Sequence, residues 1–162
     1  MKSTVLVTIT TILIAFSSPF DVTANDNNTT DFEVAENIID AIKDIDMVSL
    51  NVLLAEGASV DTVDKEGNTP LMIAANIGNP RMIEIILAHN PKLNVRNNQG
   101  DTALMIASAQ GVRDVTRQLL RKGADVTLEN ADGLNSVEIA LRNGHRDVSR
   151  LIRGEANSLM SR

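Results

Sequence analysis

The chain contains no cysteine, no tryptophan and no tyrosine. Without cysteine there are no disulfides, thiolate metal sites or cysteine nucleophiles, so a folded state must rest on packing alone. Aromatic residues amount to 2% of the chain, and of its three phenylalanines Phe16 and Phe20 lie in a stretch argued below to be removed. Phe32 then remains as the single aromatic side chain. An interface built from such a chain lacks the Tyr and Trp anchors that dominate tight complexes, so modest affinity is expected. Positive charge is scarce too, with 15 Lys and Arg against 21 Asp and Glu and a formal charge of −6. Nucleic-acid binding needs clustered cations, and no nucleic acid is expected as a partner. What is present suits one globular domain: 162 residues, 43% of them hydrophobic and 22% charged, enough for a core without covalent staples.

The first 24 residues resemble an address rather than a fold. Lys2 and the α-amino group give a minimal positive start, and Val5 to Phe16 is apolar or Thr throughout. Val22-Thr23-Ala24 then puts small residues where a signal peptidase needs them. About 12 apolar residues cannot cross a hydrocarbon core that needs roughly 20, and Pro19 and Asp21 follow directly. Residues 1–24 are therefore expected to be a signal peptide cleaved after Ala24, with an uncleaved anchor as the rival. Residues 25–33 are polar and expected to form a flexible leader. Two Asn-x-Thr triplets, at 27–29 and 28–30, are glycan acceptors only in a secreting eukaryote. The expected destination is a bacterial periplasm or the medium, with no membrane insertion after cleavage.

Beyond the leader the sequence repeats itself. Gly67, Gly100 and Gly133 are 33 residues apart, and Ala74/Ala107/Ala140, Gly78/Gly111/Gly144 and Leu87/Leu120 keep the same interval, as do Asp64/Asn97/Asn130. A period of this length marks stacked supersecondary units. Each unit opens with a turn such as Asp64-Lys65-Glu66-Gly67, where an Asx side chain bonds the backbone and Gly permits positive φ. Thr69-Pro70 then supplies an N-cap and a residue suited to the first helical position. A short helix over Leu71–Asn76 ends at Gly78, and a second apolar helix runs back from Pro80 to His89.

These residues resemble the ankyrin repeat: Gly-Asn-Thr-Pro-Leu-Met-Ile-Ala-Ala at 67–75 and Gly-Asp-Thr-Ala-Leu-Met-Ile-Ala-Ser at 100–108 follow its T-P-L-H-x-A pattern. Gly57-Ala58 and Gly123-Ala124 look like the family's repeat ending. The resemblance implies an all-α, ankyrin-like helix-turn-helix solenoid of about four stacked units, 34–66, 67–99, 100–132 and 133–157, followed by a tail at 158–162. The departures are specific. Met72, Met105 and Glu138 stand where the family has His, so its bond to the turn must be made otherwise or lost. Asn90-Pro91 replaces Gly-Ala, and Ile45 stands in the column of Gly78. Asp40 replaces the Ile of the other units and Arg153 the Leu, as expected of first and last caps that lack a neighbour on one side.

No catalytic site, metal site or cofactor is expected. His89 is read as ending a second helix, where partial positive charge suits the dipole, and His145 as part of an interhelical turn. His145, Asp147 and Ser149 resemble a triad in sequence only, because residues two apart on a helix face different ways. A small hydrolase using Ser136, His145 or Asp147 is the reading from another functional class. The resemblance instead implies binding of another protein through the concave face, at the positions that vary between units. These are Lys65, Glu66, Asn68, Asn76 and Ile77; Asn98, Gln99, Asp101 and Gln110; and Ala131, Asp132, Leu134, Arg142 and Asn143. Ile77 and Leu134 are expected to be exposed. An immunity or accessory protein dedicated to one envelope enzyme is the alternative within binding proteins. The chain is expected to be a monomer. Charge is uneven, with 2 basic and 11 acidic residues in 25–66 but 5 and 3 in 133–162. Arg113/Arg146 and Arg117/Arg150 are expected to form a salt-bridged stripe on the second helices.

Overall fold

The computed structural model describes residues 38–160. The expected signal peptide, its expected cleavage after Ala24 and the expected polar leader fall outside these residues. Helix α1 covers 38–43 and is followed by α2 (Met47–Ala55), α3 (Pro70–Ile77), α4 (Pro80–Ala88), α5 (Ala103–Gln110), α6 (Arg113–Arg121), α7 (Ser136–Arg142) and α8 (Arg146–Met160). No strand occurs among the described residues. The helices pair as α3/α4, α5/α6 and α7/α8, and the pairs stack in order, α3 on α5 on α7 in an inner row and α4 on α6 on α8 in an outer row. The chain is thus an all-helical solenoid of the ankyrin type.

Helices of seven to nine residues are too short to be stable alone, and local caps and lateral packing define them. Thr69 and Thr102 accept the amides of Met72 and Met105 at 3.3 and 3.4 Å. The bond that the family makes with His is replaced in kind: the Met72 and Met105 sulfurs accept the Thr69 and Thr102 amides at 3.4 Å, and the Glu138 carboxylate accepts the Asn135 amide at 3.0 Å. A thioether is a weak acceptor and a carboxylate a strong one, so the last unit closes its box most firmly. Asp46 caps α2; the Ser49 hydroxyl and amide, with the Val48 amide, hold its carboxyl below the usual carboxylate range.

One continuous core threads all the units. It includes Ile38, Ile42, Leu50 and Leu54 of the first, Leu71, Met82, Ile83 and Ile86 of the second, Leu104, Val115 and Leu119 of the third, and Val148 and Ile152 of the last. Ala74, Ala107 and Ala140, one per unit, are fully buried, and their small side chains let adjacent inner helices approach closely. Asp40 and Arg153 are both exposed at the two ends, as caps require. Helix α3 is one residue longer at each end than the sequence pattern predicts. Helix α8 continues through Met160, into the stretch read as a tail, because no proline or turn signal follows Gly154.

The interhelical turns share a left-handed residue, with φ of 75° at Gly78, 71° at Gly111 and 85° at Gly144. In the first unit Ile45 takes φ of 58° in the same place, a conformation that costs a β-branched residue roughly 1–2 kcal/mol. Gly111 is constrained twice, because a Cβ there would fall on the imidazole of His145, whereas at Gly144 it would meet open space. His145 donates from Nε2 to the Ala109 carbonyl at 3.1 Å, tying the last unit to the end of α5. Gly144→Ala should cost about 1–2 kcal/mol of stability through backbone strain alone, and Gly111→Ala about 1 kcal/mol more by displacing that ring. Urea unfolding followed by circular dichroism checks both; equal losses would show that the His145 contact contributes nothing.

Candidate functional site

The inner row of helices and the turns above it form a groove lined by residues of all four units. Its first part, about 490 Å³, is lined by Asp64, Glu66 and Asn68 from the turn, by Met72, Ile73, Asn76 and Ile77 of α3, and by Lys43 and Ile106 from the units on either side. The second part, about 400 Å³, shares Asn76 and Ile106 with the first and extends over Asp101, Gln110, Asp132, Leu134, Arg142 and Asn143. The floor is apolar and repetitive, because Ile73, Ile106 and Ile139 occupy one column of the repeat.

Of the residues singled out from the sequence, Glu66, Asn68, Asn76, Ile77, Asp101, Gln110, Asp132, Leu134, Arg142 and Asn143 are brought together along this groove. Lys65, Asn98, Gln99 and Ala131 are exposed at the turn tips and do not line it. Ile77 and Leu134 are corrected from exposed to half-buried; Ile77 packs against the core. The large exposed apolar side chains lie elsewhere, Ile45, Val48 and Val52 at the first cap, Val63, and Leu141.

Several of these side chains also hold the units in register. The Asn97 amide donates to Asn68 Oδ1 at 2.9 Å, and the Asn130 amide donates to Asp101 Oδ1 at 2.8 Å, the same bond one unit on. Gln110 Nε2 donates to Asn76 Oδ1 at 2.8 Å across the groove. At the turn tips the Asn98 amide donates to the Glu66 carbonyl at 3.0 Å and the Ala131 amide to the Gln99 carbonyl at 2.9 Å. Arg96 extends this link, its Nη2 donating to the Glu129 carbonyl at 2.6 Å. Asn97 and Asn130 were legible as turn residues, and indeed each accepts amides of its own turn, Gln99 and Asp101 for the first and Asp132 and Leu134 for the second. Their second task, reaching back 29 residues, has a sequence signal only when the 68/101 and 97/130 columns are read as a pair.

A profile of three ankyrin repeats matches residues 38–130, more than half of the chain. The chain belongs to the ankyrin repeat family. No curated protein matches it. The profile stops at 130, yet the next unit of this ankyrin solenoid repeats the same turn, capping box and lateral bond through Asn130, Asn135 and Glu138.

The ankyrin fold is in general an interaction fold and not an enzymatic one. Ser136 is buried at the start of α7 and Ser149 in α8; among the described residues neither hydroxyl bonds a histidine or a carboxylate, and His145 is engaged with Ala109. No group of three metal-ligating side chains occurs among the described residues, and no described helix is long and apolar enough to cross a membrane. On the outer row Asp114 and Arg117 close an ion pair at 2.9 Å, whereas the equivalent Asp147 and Arg150 do not, so the stripe is salt-bridged in one unit of the two.

The Asp101–Asn130 bond makes one candidate binding residue structural as well. Asp101→Ala should lower stability by about 1 kcal/mol, and a double-mutant cycle with Asn130→Ala should give a coupling of similar size. Additive losses in thermal melts would remove the register role.

Proposed function

We propose that this ankyrin-repeat chain is an exported interaction module that binds another protein in the groove formed by α3, α5, α7 and their turns. The observation that carries this reading is the continuity of the groove. Side chains from consecutive units line one trough with an apolar floor and a polar rim, and stacked repeats present such a surface as a single binding face. Among the described residues the opposite surface also carries an apolar hollow, of about 510 Å³ and lined by Met47, Ile85 and Ala88, but its lining comes from the first two units alone. Export rests on residues 1–24, whose charged start, apolar stretch and small residues up to Ala24 fit a cleavable signal. The mature protein acts as a monomer in the periplasm.

A photo-reactive amino acid placed at Asn76 or Asn143, in the groove, should capture a protein from the producing cell, and the same group at Arg121 or Arg150, on the outer row, should capture none. Capture from the outer row alone would overturn the concave-face reading. One partner held at equal stoichiometry would identify the accessory form of this role. Mass spectrometry of the chain recovered from the envelope should find Asn25 as its first residue; an intact Met1 there would remove the cleaved signal.

A further inference from the structure

The groove carries an uneven charge. The carboxylates of Asp64, Glu66, Asp101 and Asp132 line it, against the cations of Lys43 and Arg142. Arg142 is engaged by Asp132 at 3.7 Å, with both side chains about two-thirds exposed, a loose pair that a competing cation can open. Among the described residues no cation lies within ion-pair distance of Asp64, Glu66 or Asp101. Asp64 and Asp101 are bonded to neutral donors, the Glu66 and Asn68 amides for the first and the Asn130 side chain for the second. Such donors are neutral and cancel none of a carboxylate's charge.

The outer row has the opposite balance. Helices α4, α6 and α8 carry seven arginines against four acidic residues. The solenoid is therefore negative inside and positive outside, a field that draws a cation to the groove and repels it from the back. Between the charged rim and the isoleucine floor, Asn76 and Gln110 share one hydrogen bond, leaving the Asn76 amino group and the Gln110 carbonyl to face a ligand. Together they match the donor and acceptor of a peptide backbone.

We propose that the groove takes an extended segment of a partner protein in which lysines or arginines alternate with small aliphatic side chains, the cations meeting Glu66, Asp101 and Asp132 and the aliphatic groups resting on Ile73, Ile106 and Ile139. This inference rests on the concave-face reading. It assigns the chemistry of the partner and gives its association a strong salt dependence, because exposed charges are screened within about 8 Å at physiological ionic strength.

The test is a selection of random dodecapeptides displayed on phage against the full chain, with counter-selection on Asn76→Trp, which fills the junction of the two parts of the groove. Gln110→Trp serves as a second plug, and circular dichroism verifies the helical content of each variant. Selected peptides should be cationic, should lose affinity about fivefold on the Glu66→Gln/Asp132→Asn variant, and should weaken as salt is raised. Neutral or acidic peptides that both plugs exclude would overturn the cationic assignment and leave the concave face standing. Cationic peptides that bind the plugged variants equally would place binding elsewhere and overturn both readings. An empty selection would also overturn the proposal.

Discussion

Two short antiparallel helices have no inside. Each pair here buries one side against its own partner and exposes apolar surface on both flanks, and only a neighbouring pair can cover it. Every other feature follows from that constraint. The small Ala74, Ala107 and Ala140 set how closely the inner helices approach, and the bonds from Asn97 to Asn68 and from Asn130 to Asp101 fix the register in which they do so. Because the bonds recur one unit on, the two parts of the trough above the inner helices join, sharing Asn76 and Ile106. The groove is thus a by-product of stacking, and its floor is built from the same residue column that packs the units.

The end units show what the constraint demands where a neighbour is absent. Asp40 and Arg153 replace the aliphatic residues of the inner units and face water, as terminal caps do in repeat arrays. The first cap is less complete. Ile45 holds a left-handed conformation that the other units give to glycine, and Val48 and Val52 remain exposed beside it. At the other end α8 extends to Met160, and His145 fastens the last pair to α5. Among the described residues, the terminal unit on that side is accordingly the better secured of the two.

Much of this was legible in the sequence because a periodic chain states each fact several times. The glycine, alanine and asparagine columns give the unit length, the turn and the helix pair, and the two helices that were given bounds, Leu71–Asn76 and Pro80–His89, lie within one residue of α3 and α4 at each end. The variable positions also led to the groove, ten of the fourteen lining it. The remaining information was hidden for physical reasons. Burial of Ile77 and Leu134 depends on the distance between stacked units, which no local pattern encodes. Lys65, Asn98, Gln99 and Ala131 vary as groove residues do, yet they sit at the turn tips, where Glu66–Asn98 and Gln99–Ala131 backbone pairs use main-chain atoms that any side chain supplies. The sulfur acceptors of Met72 and Met105 were foreshadowed only as a missing histidine. The link from His145 to Ala109 spans 36 residues and breaks the 33-residue rhythm, so counting by the period passes over it.

The coupling of units through nearest neighbours alone has a mechanical corollary. Asn76 and Gln110 bridge consecutive inner helices, and the two halves of the trough straddle different unit boundaries. A ligand lying along it would span both boundaries at once and act as a splint, converting an array that can fray from either end into one cooperative body. Occupancy would then be read far from the trough, in slower amide exchange at the caps, and the lifetime of the folded protein would be set in part by whether it is occupied.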